Sequence, residues 1–409
     1  MKNHKQILFF FVLCFLAYFA TYLGRLNYAA SLAEMIREEG FLKGEAGLIG
    51  TAFFFSYGAG QLISGFAGDR WNCKWLVFGG LIVSAGMNAV MGCLNTPQAM
   101  MMVWCINGVA QSMVWSPMLH IICELLEPKE RMKFCMYINY SVPLGTVSSY
   151  ALSALLIGTF GWRMAFFVPS VLVGGMAFLW LFGMGRLPYS GQGKTVAAGV
   201  LSVESDKKQS KIFISSGLLF LVLALGVQGA LKDGITTWTP VYLEENHGMG
   251  SIAAILSTMV IPFCNMLAVS LAAFVRKRMG ENEIRSASVF YGVCALALGI
   301  LYVWGGHSGF LALCMLAAAT TTMMSVNALL ISVLPSRFGK LGKASGISGI
   351  LNSCVYTGCA VSTYGIGALS ESLGWNLTIL FWVAGAVTAG GICIGVSRRW
   401  GRYVKNCLD

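Results

Sequence analysis

Two basic residues stand where the chain is otherwise most apolar. Arg25 sits in "TYLGRLNYAASL", residues 21–32, directly after the apolar run Ile7–Ala20. Lys232 sits in "GALKDGITTW", after the apolar run Leu218–Val227. A cation at the bilayer centre costs roughly 2.5–3.5 kcal/mol on insertion scales, so it normally faces a water-filled cavity or a partner. At helical spacing Arg25 shares a face with Tyr18, Tyr22, Tyr28 and Ala29, and Lys232 with Gln228, Thr236 and Thr239. Structural pairing with a carboxylate is the competing reading. Glu34 and Glu124 lie towards helix ends, and Asp233, next to Lys232, points about 100° away on an ideal helix. The pattern therefore favours an anion site. Arg offers a planar fork for phosphate or carboxylate, and Lys a point charge. Two such cations brought to about 6 Å would repel by about 3 kcal/mol at an effective dielectric near 20. A bound dianion turns that repulsion into attraction, which favours exchange of one anion for another.

The elements that carry these residues follow from composition. Of 409 residues, 56% are hydrophobic and 11% charged, well below the charged fraction of about 25% in soluble domains. Spanning a bilayer takes about 20 mostly apolar residues per helix. Twelve such segments are expected, at 7–30, 46–67, 75–95, 98–124, 134–158, 163–185, 213–240, 251–275, 286–304, 308–333, 345–368 and 375–397. The runs lack the alternation of a membrane β-barrel. The first is expected to be retained, because it is long, contains Arg25 and has no small-residue cleavage site. The thirteen cysteines are scattered through apolar runs without a C-x-x-C pair, and read as small packing residues. No nucleotide loop, metal cluster or nucleophile–base pattern occurs, so neither an enzyme nor a cofactor is expected.

The net charge of +11 sorts by loop. With an inside N-terminus, Arg37, Lys43 and Arg163 fall outside, and Arg25 and Lys232 fall within helices. Every other Lys and Arg falls inside. The positive-inside rule then places both termini in the cytoplasm of a multi-pass cell-membrane protein. The excess charge marks topology and lipid contact rather than nucleic acid.

The polar stretch 187–212 divides the chain into halves, 1–186 and 213–409, with a cytoplasmic linker between them. One constant shift carries Arg25 onto Lys232, Asp69-Arg70 onto Arg276-Lys277, and Pro128 of "EPKER" onto Pro335 of "LPSRF". A slightly longer shift carries Gly161-Trp162 onto Gly374-Trp375. Two pseudo-symmetric six-helix halves resemble the major facilitator transporters: all-α, with the substrate site near the midplane between halves that rock around it. The two cations would then face each other across a central cavity. One chain supplies both halves, so a monomer is expected.

Four stretches narrow the likeness. "TYLGRLNYAASL" resembles a Tyr-x-x-Arg-x-Asn pattern in the first helix. "GFAGDRWNCKWLVF" resembles an Asp-Arg-x-Asn loop after the second, "GVAQSMVWSPM" with "EPKER" the fourth, and "KDGITTWTPVYLEE" the seventh. Together they are similar to the organophosphate:phosphate antiporters, which include glycerol-3-phosphate and hexose-phosphate transporters. The resemblance implies that an arginine in each of helices 1 and 7 binds phosphate. Arg25 matches the first, and Lys232 replaces the second. A helix-5 histidine contributes in some members, whereas "INYSVPLGT" here holds Val142 and no histidine. Asn72 stands where the wider superfamily usually has Gly, and both residues tolerate a left-handed turn.

Other residues could line the cavity. Asn107, Gln111 and Trp115 share a face of the fourth segment, Asn139 and Tyr140 lie on the fifth, and Asn352 and Tyr356 share a face of the eleventh. The expected substrate-binding set is Arg25, Lys232, Tyr22, Tyr28, Gln111, Trp115, Asn139, Gln228 and Tyr356. Asp69 and Arg70 are expected to gate. His120 reads as a hydrogen-bonded residue near the cytoplasmic side. Gly58, Gly65, Gly79 and Gly80 are expected at close helix approaches. The expected function is secondary transport of an organic phosphate or related organic anion in exchange for inorganic phosphate. The alternatives are proton-coupled anion symport, with Asp233 or His120 titrating, and a transporter-like sensor of a phosphorylated metabolite.

Overall fold

The computed structural model describes residues 4–127, 130, 134, 137–138, 140–189, 217–338 and 344–407. Among them twelve long helices follow one another, and no strand occurs. In the first half these are α1 His4–Glu39, α2 Lys43–Arg70, α3 Cys73–Met91, α4 Pro97–Leu125, α5 Ser141–Phe160 and α6 Met164–Gly185. In the second they are α7 Leu218–His247, α8 Ser251–Arg278, α9 Glu283–His307, α10 Gly309–Val333, α11 Ala344–Ser372 and α12 Gly374–Cys407. Nine of these are long and apolar enough to cross a membrane. The other three, α2, α4 and α11, have 28, 29 and 29 residues, also long enough to span. The expected segments each find a helix, with α1 running on past residue 30 to Glu39. Of the expected linker, only Leu187, Pro188 and Tyr189 are among the described residues.

Local chemistry sets the helix ends. Asn72 does not use the left-handed turn that it would tolerate. Its φ is −64°, and its side chain accepts from the Lys74 amide as the N-cap of α3. Asn282 caps α9 in the same way through the Arg285 amide. The repeated Gly-Trp pair has a conformational origin. Gly161 and Gly374 have φ of +87° and +78°, a region that disfavours a side chain, and each joins two antiparallel helices. The following Trp162 and Trp375 are buried. Arg163 lies over the Trp162 ring and pairs with Glu39 at 2.7 Å, while Trp375 donates to Glu245 at 2.7 Å.

The residues group into two compact units, one within Met1–Val196 and Gly250–Pro262, the other within Ala197–Met249 and Phe263–Asp409. The start of α8 thus packs with the first unit, where Ile252 lies against Gly158 of α5 and the Ser251 hydroxyl accepts from Arg37. The core of the first unit gathers Phe10 and Leu13 of α1, Val77 and Leu81 of α3, Met118 of α4 and Trp180 of α6. In lipid the driving force is close van der Waals packing and interhelical hydrogen bonding rather than escape from water. The Trp180 indole accordingly donates to the Lys74 carbonyl at 3.0 Å.

Several helix crossings depend on missing side chains. At Gly80 of α3, a Cβ would come within 2.6 Å of the Ala110 carbonyl of α4. At Gly229 of α7 and Gly358 of α11, a Cβ would overlap the backbone of the facing helix. Gly79, expected at a close approach, meets nothing within 4 Å, because the next position along the helix is the one that turns inward. Gly80→Ala should therefore cost about 1–3 kcal/mol by overpacking against backbone, whereas Gly79→Ala should stay within about 0.5 kcal/mol. Thermal melting of the two purified variants in detergent checks the contrast.

Candidate functional site

Arg25 lies midway along α1, and its guanidinium is enclosed by rings. The Cζ atom is 4.6 Å from the Tyr22 ring centroid, 5.0 Å from Tyr57 and 5.8 Å from Phe53. Cation–π attraction replaces part of the lost hydration and leaves the planar fork aimed by its surroundings. The aromatic surface continues through Tyr18, which meets Tyr22 edge-on at 5.6 Å and Trp115 of α4 at 4.7 Å. Tyr22 lies on Arg25 as the helical spacing suggested, and Trp115 of α4 joins them through Tyr18. Tyr57 and Phe53, on α2, were not legible from that spacing.

The backbone beneath Arg25 is tied more firmly still. The carbonyl of Gly24 accepts from the amides of Asn88, Asn107 and Gln111, each at 3.1 Å. Ser84 links them, donating to Asn107 at 2.7 Å and accepting from Gln111 at 3.1 Å. Asn27 donates to Asn88 at 2.8 Å and to the Ala165 carbonyl at 3.0 Å. This buried network joins α1, α3, α4 and α6 around one peptide group. A Cβ at Gly24 would sit 3.1 Å from the Asn88 amide nitrogen, so a side chain there would press on the donors. Gln111, expected to touch substrate, spends its amide nitrogen in this hub, and its Oε1 is buried without a hydrogen-bond partner among the described residues.

Tyr28 reaches Phe53, one of the rings around the guanidinium, through Trp104. It is buried, donates to the Ala46 carbonyl at 2.5 Å and packs on Trp104. Its helical companion Ala29 is buried too. Asn139 lies outside the described residues, and Tyr140 is exposed. Asp69 and Arg70 close α2, with side chains outside those described. His120 is half-buried on α4. Glu34 pairs with Arg37 one turn on. Beyond the end of α6, burial and the nearby Cys73 and Glu124 raise the Tyr189 phenol above its ordinary range, so it stays protonated.

Lys232 lies in a π-turn, Ala230–Gly234, that interrupts α7. Its Nζ is 3.1 Å from Asp233 Oδ2. Backbone angle had set the two apart, but the four-carbon lysine stem reaches round to its neighbour. The same oxygen accepts from Cys359 Sγ of α11 at 2.9 Å. The polar companions expected around Lys232 turn inward on their own helix: Thr236 donates to the Lys232 carbonyl and Thr239 to that of Ile235, both at 2.7 Å. Gln228 is fully buried and donates to the Met323 carbonyl of α10 at 3.0 Å, and its Oε1 has no partner among the described residues. Tyr356 is half-buried on α11, one turn before Cys359.

A charged cluster absent from the sequence reading closes one end of the second unit. Glu283 is fully buried. Its Oε1 lies 3.3 Å from Arg276 Nε and 3.1 Å from Arg337 Nε, and its Oε2 accepts from the Trp400 indole at 3.0 Å. It gathers the end of α8, the start of α9, Arg337 four residues beyond α10, and α12. The repeat offered one signal, since Arg276 occupies the place of Asp69. Among the described residues no group of three or more His, Cys, Asp or Glu is placed to hold a metal.

Comparison with known proteins gives this arrangement its family. Residues 14–363 match the model of the Major Facilitator Superfamily. The chain belongs to that superfamily, and is therefore a multi-pass membrane transporter rather than an enzyme. It is 22% identical over 392 residues to a probable hexose phosphate transport protein of Chlamydia muridarum (88% of this chain, 84% of the relative). It is 24% identical over 324 residues to the glycerol-3-phosphate transporter of Bacillus subtilis (73% and 71%). Its fold is similar to the crystal structure of a bacterial homologue of the human lysosomal transporter Spinster, at a TM-score of 0.80 and 14% identity, covering 96% of this chain and 97% of that one.

Removing one partner from a buried charge cluster costs about 3–5 kcal/mol. Glu283→Ala should therefore lower the melting temperature of the purified protein by many degrees. Glu281→Ala, on an exposed side chain paired more loosely with the same arginines, should change it by about 0.5 kcal/mol or less. Melting the two side by side separates the buried cluster from surface pairing.

Proposed function

We propose that the protein carries an organic phosphate or a related organic anion across the membrane by alternating access, in exchange for inorganic phosphate. The observation that carries this reading is Arg25: a permanent cation midway along a membrane helix, enclosed by rings and standing on a fixed peptide group. Such placement is costly and serves an anionic ligand. The names of the relatives, a hexose phosphate and a glycerol-3-phosphate transporter, support the same substrate class.

In this reading Arg25 and Lys232 each contribute a cation to the anion. Tyr22, Trp115 and Tyr356 offer faces to the organic part. Gln111 and Gln228 act mainly by fixing α1 and α7, because their amide nitrogens are engaged. Tyr28 supports α1 from Ala46, and Asn139 is a further candidate on the fifth segment. Residues 1–186 and 213–409 act as the two moving halves, joined by 187–212, in a monomer with both termini cytoplasmic. Asp69 and Arg70 gate one end. The Glu283 cluster, which holds Arg276 at the repeat-related position, supports such a clamp.

Proteoliposomes loaded with inorganic phosphate test the proposal, by entry of radiolabelled phosphate and its competition by glucose 6-phosphate, glycerol 3-phosphate and dicarboxylates. Each charge-assisted hydrogen bond contributes about 1.5–3 kcal/mol, so Arg25→Ala should slow exchange at least tenfold. Arg25→Lys, which keeps the charge and loses the fork, should fall between. Wild-type protein that exchanges no phosphate and is inhibited by no organophosphate would defeat the reading.

A further inference from the structure

The two cations have different neighbours in their respective halves. Arg25 is enclosed by aromatic rings, whereas Lys232 has a carboxylate within reach on its own turn. The π-turn Ala230–Gly234 gives the stretch a geometry distinct from the α-helix on either side, and such insertions recur at functional sites. α11 presses on it closely. A Cβ at Gly234 would come within 2.7 Å of both Ser362 Oγ and Ile366 Cδ1, and Gly229 allows no Cβ against Val355. Asp233 is held in place by that contact, because Cys359 Sγ of α11 lies 2.9 Å from the oxygen that meets Lys232 Nζ. The lysine and aspartate side chains are mostly shielded but keep 19% and 26% exposure.

Asp233 is therefore an anion tethered beside a cation that the transporter reading assigns to substrate. A tethered group competes at a high effective concentration. An incoming dianion carries more charge and would draw Lys232 away. The carboxylate would then keep the Cys359 thiol as donor, so it would not be stranded without a hydrogen bond. When substrate leaves, Lys232 returns to Asp233, and the second half again carries no net charge at this turn.

We propose that Asp233 is a built-in counter-anion that lets the unloaded carrier reorient, so that the protein performs net transport of its anion down a gradient as well as exchange. Strict exchange requires that unloaded cations resist reorientation. Here one of them is neutralised from within. Cys359 is a positioning residue that holds Asp233 in reach of Lys232. The inference rests on the transporter reading given above.

The test compares two fluxes of radiolabelled inorganic phosphate into proteoliposomes made with the full-length protein. One set is loaded with phosphate and reports exchange. The other is loaded with an impermeant buffer and reports net entry. Wild type is expected to show both. Asp233→Asn, nearly isosteric and neutral, is expected to keep exchange and lose net entry at least tenfold. Cys359→Ser, which retains a donor, should resemble wild type, and Cys359→Val should reduce net entry severalfold with exchange unchanged.

Wild type that exchanges without net entry would overturn the proposal and leave the transporter reading standing. Net entry of wild-type size in both Asp233→Asn and Cys359→Val would overturn it as well. Folded Asp233→Asn protein that loses both fluxes together would also overturn it, because Asp233 would then serve every transport step. Absence of both fluxes in wild type would instead defeat the transporter reading itself.

Discussion

A charge taken out of water must be compensated locally, and this constraint organises both units. Hydrocarbon offers nothing to a guanidinium or an ammonium. The first unit answers with aromatic faces around Arg25. The second answers with a neighbouring carboxylate at Lys232. Aromatic rings attract a cation through the negative face of the ring quadrupole rather than by supplying a counter-charge. A carboxylate cancels the charge until something displaces it. Repeat-related positions thus have different neighbours, rings at Arg25 and a carboxylate at Lys232.

Compensation works only if the backbone holds still, and the packing of each unit serves that end. Three side-chain amides converge on the Gly24 carbonyl, so the peptide before Arg25 is fixed by residues from two other helices. Satisfied polar networks of this kind rigidify a buried region because each member would be costly to leave unpaired. In the second unit, glycines at the α7–α11 crossing bring Cys359 against the π-turn. Elsewhere in that unit, Glu283 ties the start of α9 to α8, to the segment after α10 and to α12 through two arginines and an indole.

Helix number, the two-fold repeat and the intramembrane cations were legible because lipid imposes a simple rule: long apolar runs, broken by charge only for a reason. Gly161 and Gly374 were legible as landmarks, although their cause, a left-handed backbone at a tight junction, appears only in the structure. Sequence spacing found Tyr22 near Arg25 because the two share a helix face, whereas Trp115 reaches them from α4 through Tyr18. It could not find Tyr57 or Phe53, since contacts between helices depend on rotation and register that a single helix does not encode. It placed Tyr28, Gln111 and Gln228 towards ligand, whereas their donors bind backbone carbonyls of neighbouring helices. It separated Lys232 from Asp233 by counting backbone angle and leaving out the reach of the lysine stem.

The central claim is that these intramembrane cations constitute an anion site. Equilibrium binding of radiolabelled glucose 6-phosphate and inorganic phosphate to the purified protein tests it most directly, in wild type, Arg25→Ala and Lys232→Ala. The account predicts saturable binding in wild type, weakened at least tenfold in each variant while the melting temperature stays near wild type. Binding of wild-type strength in both variants would contradict it.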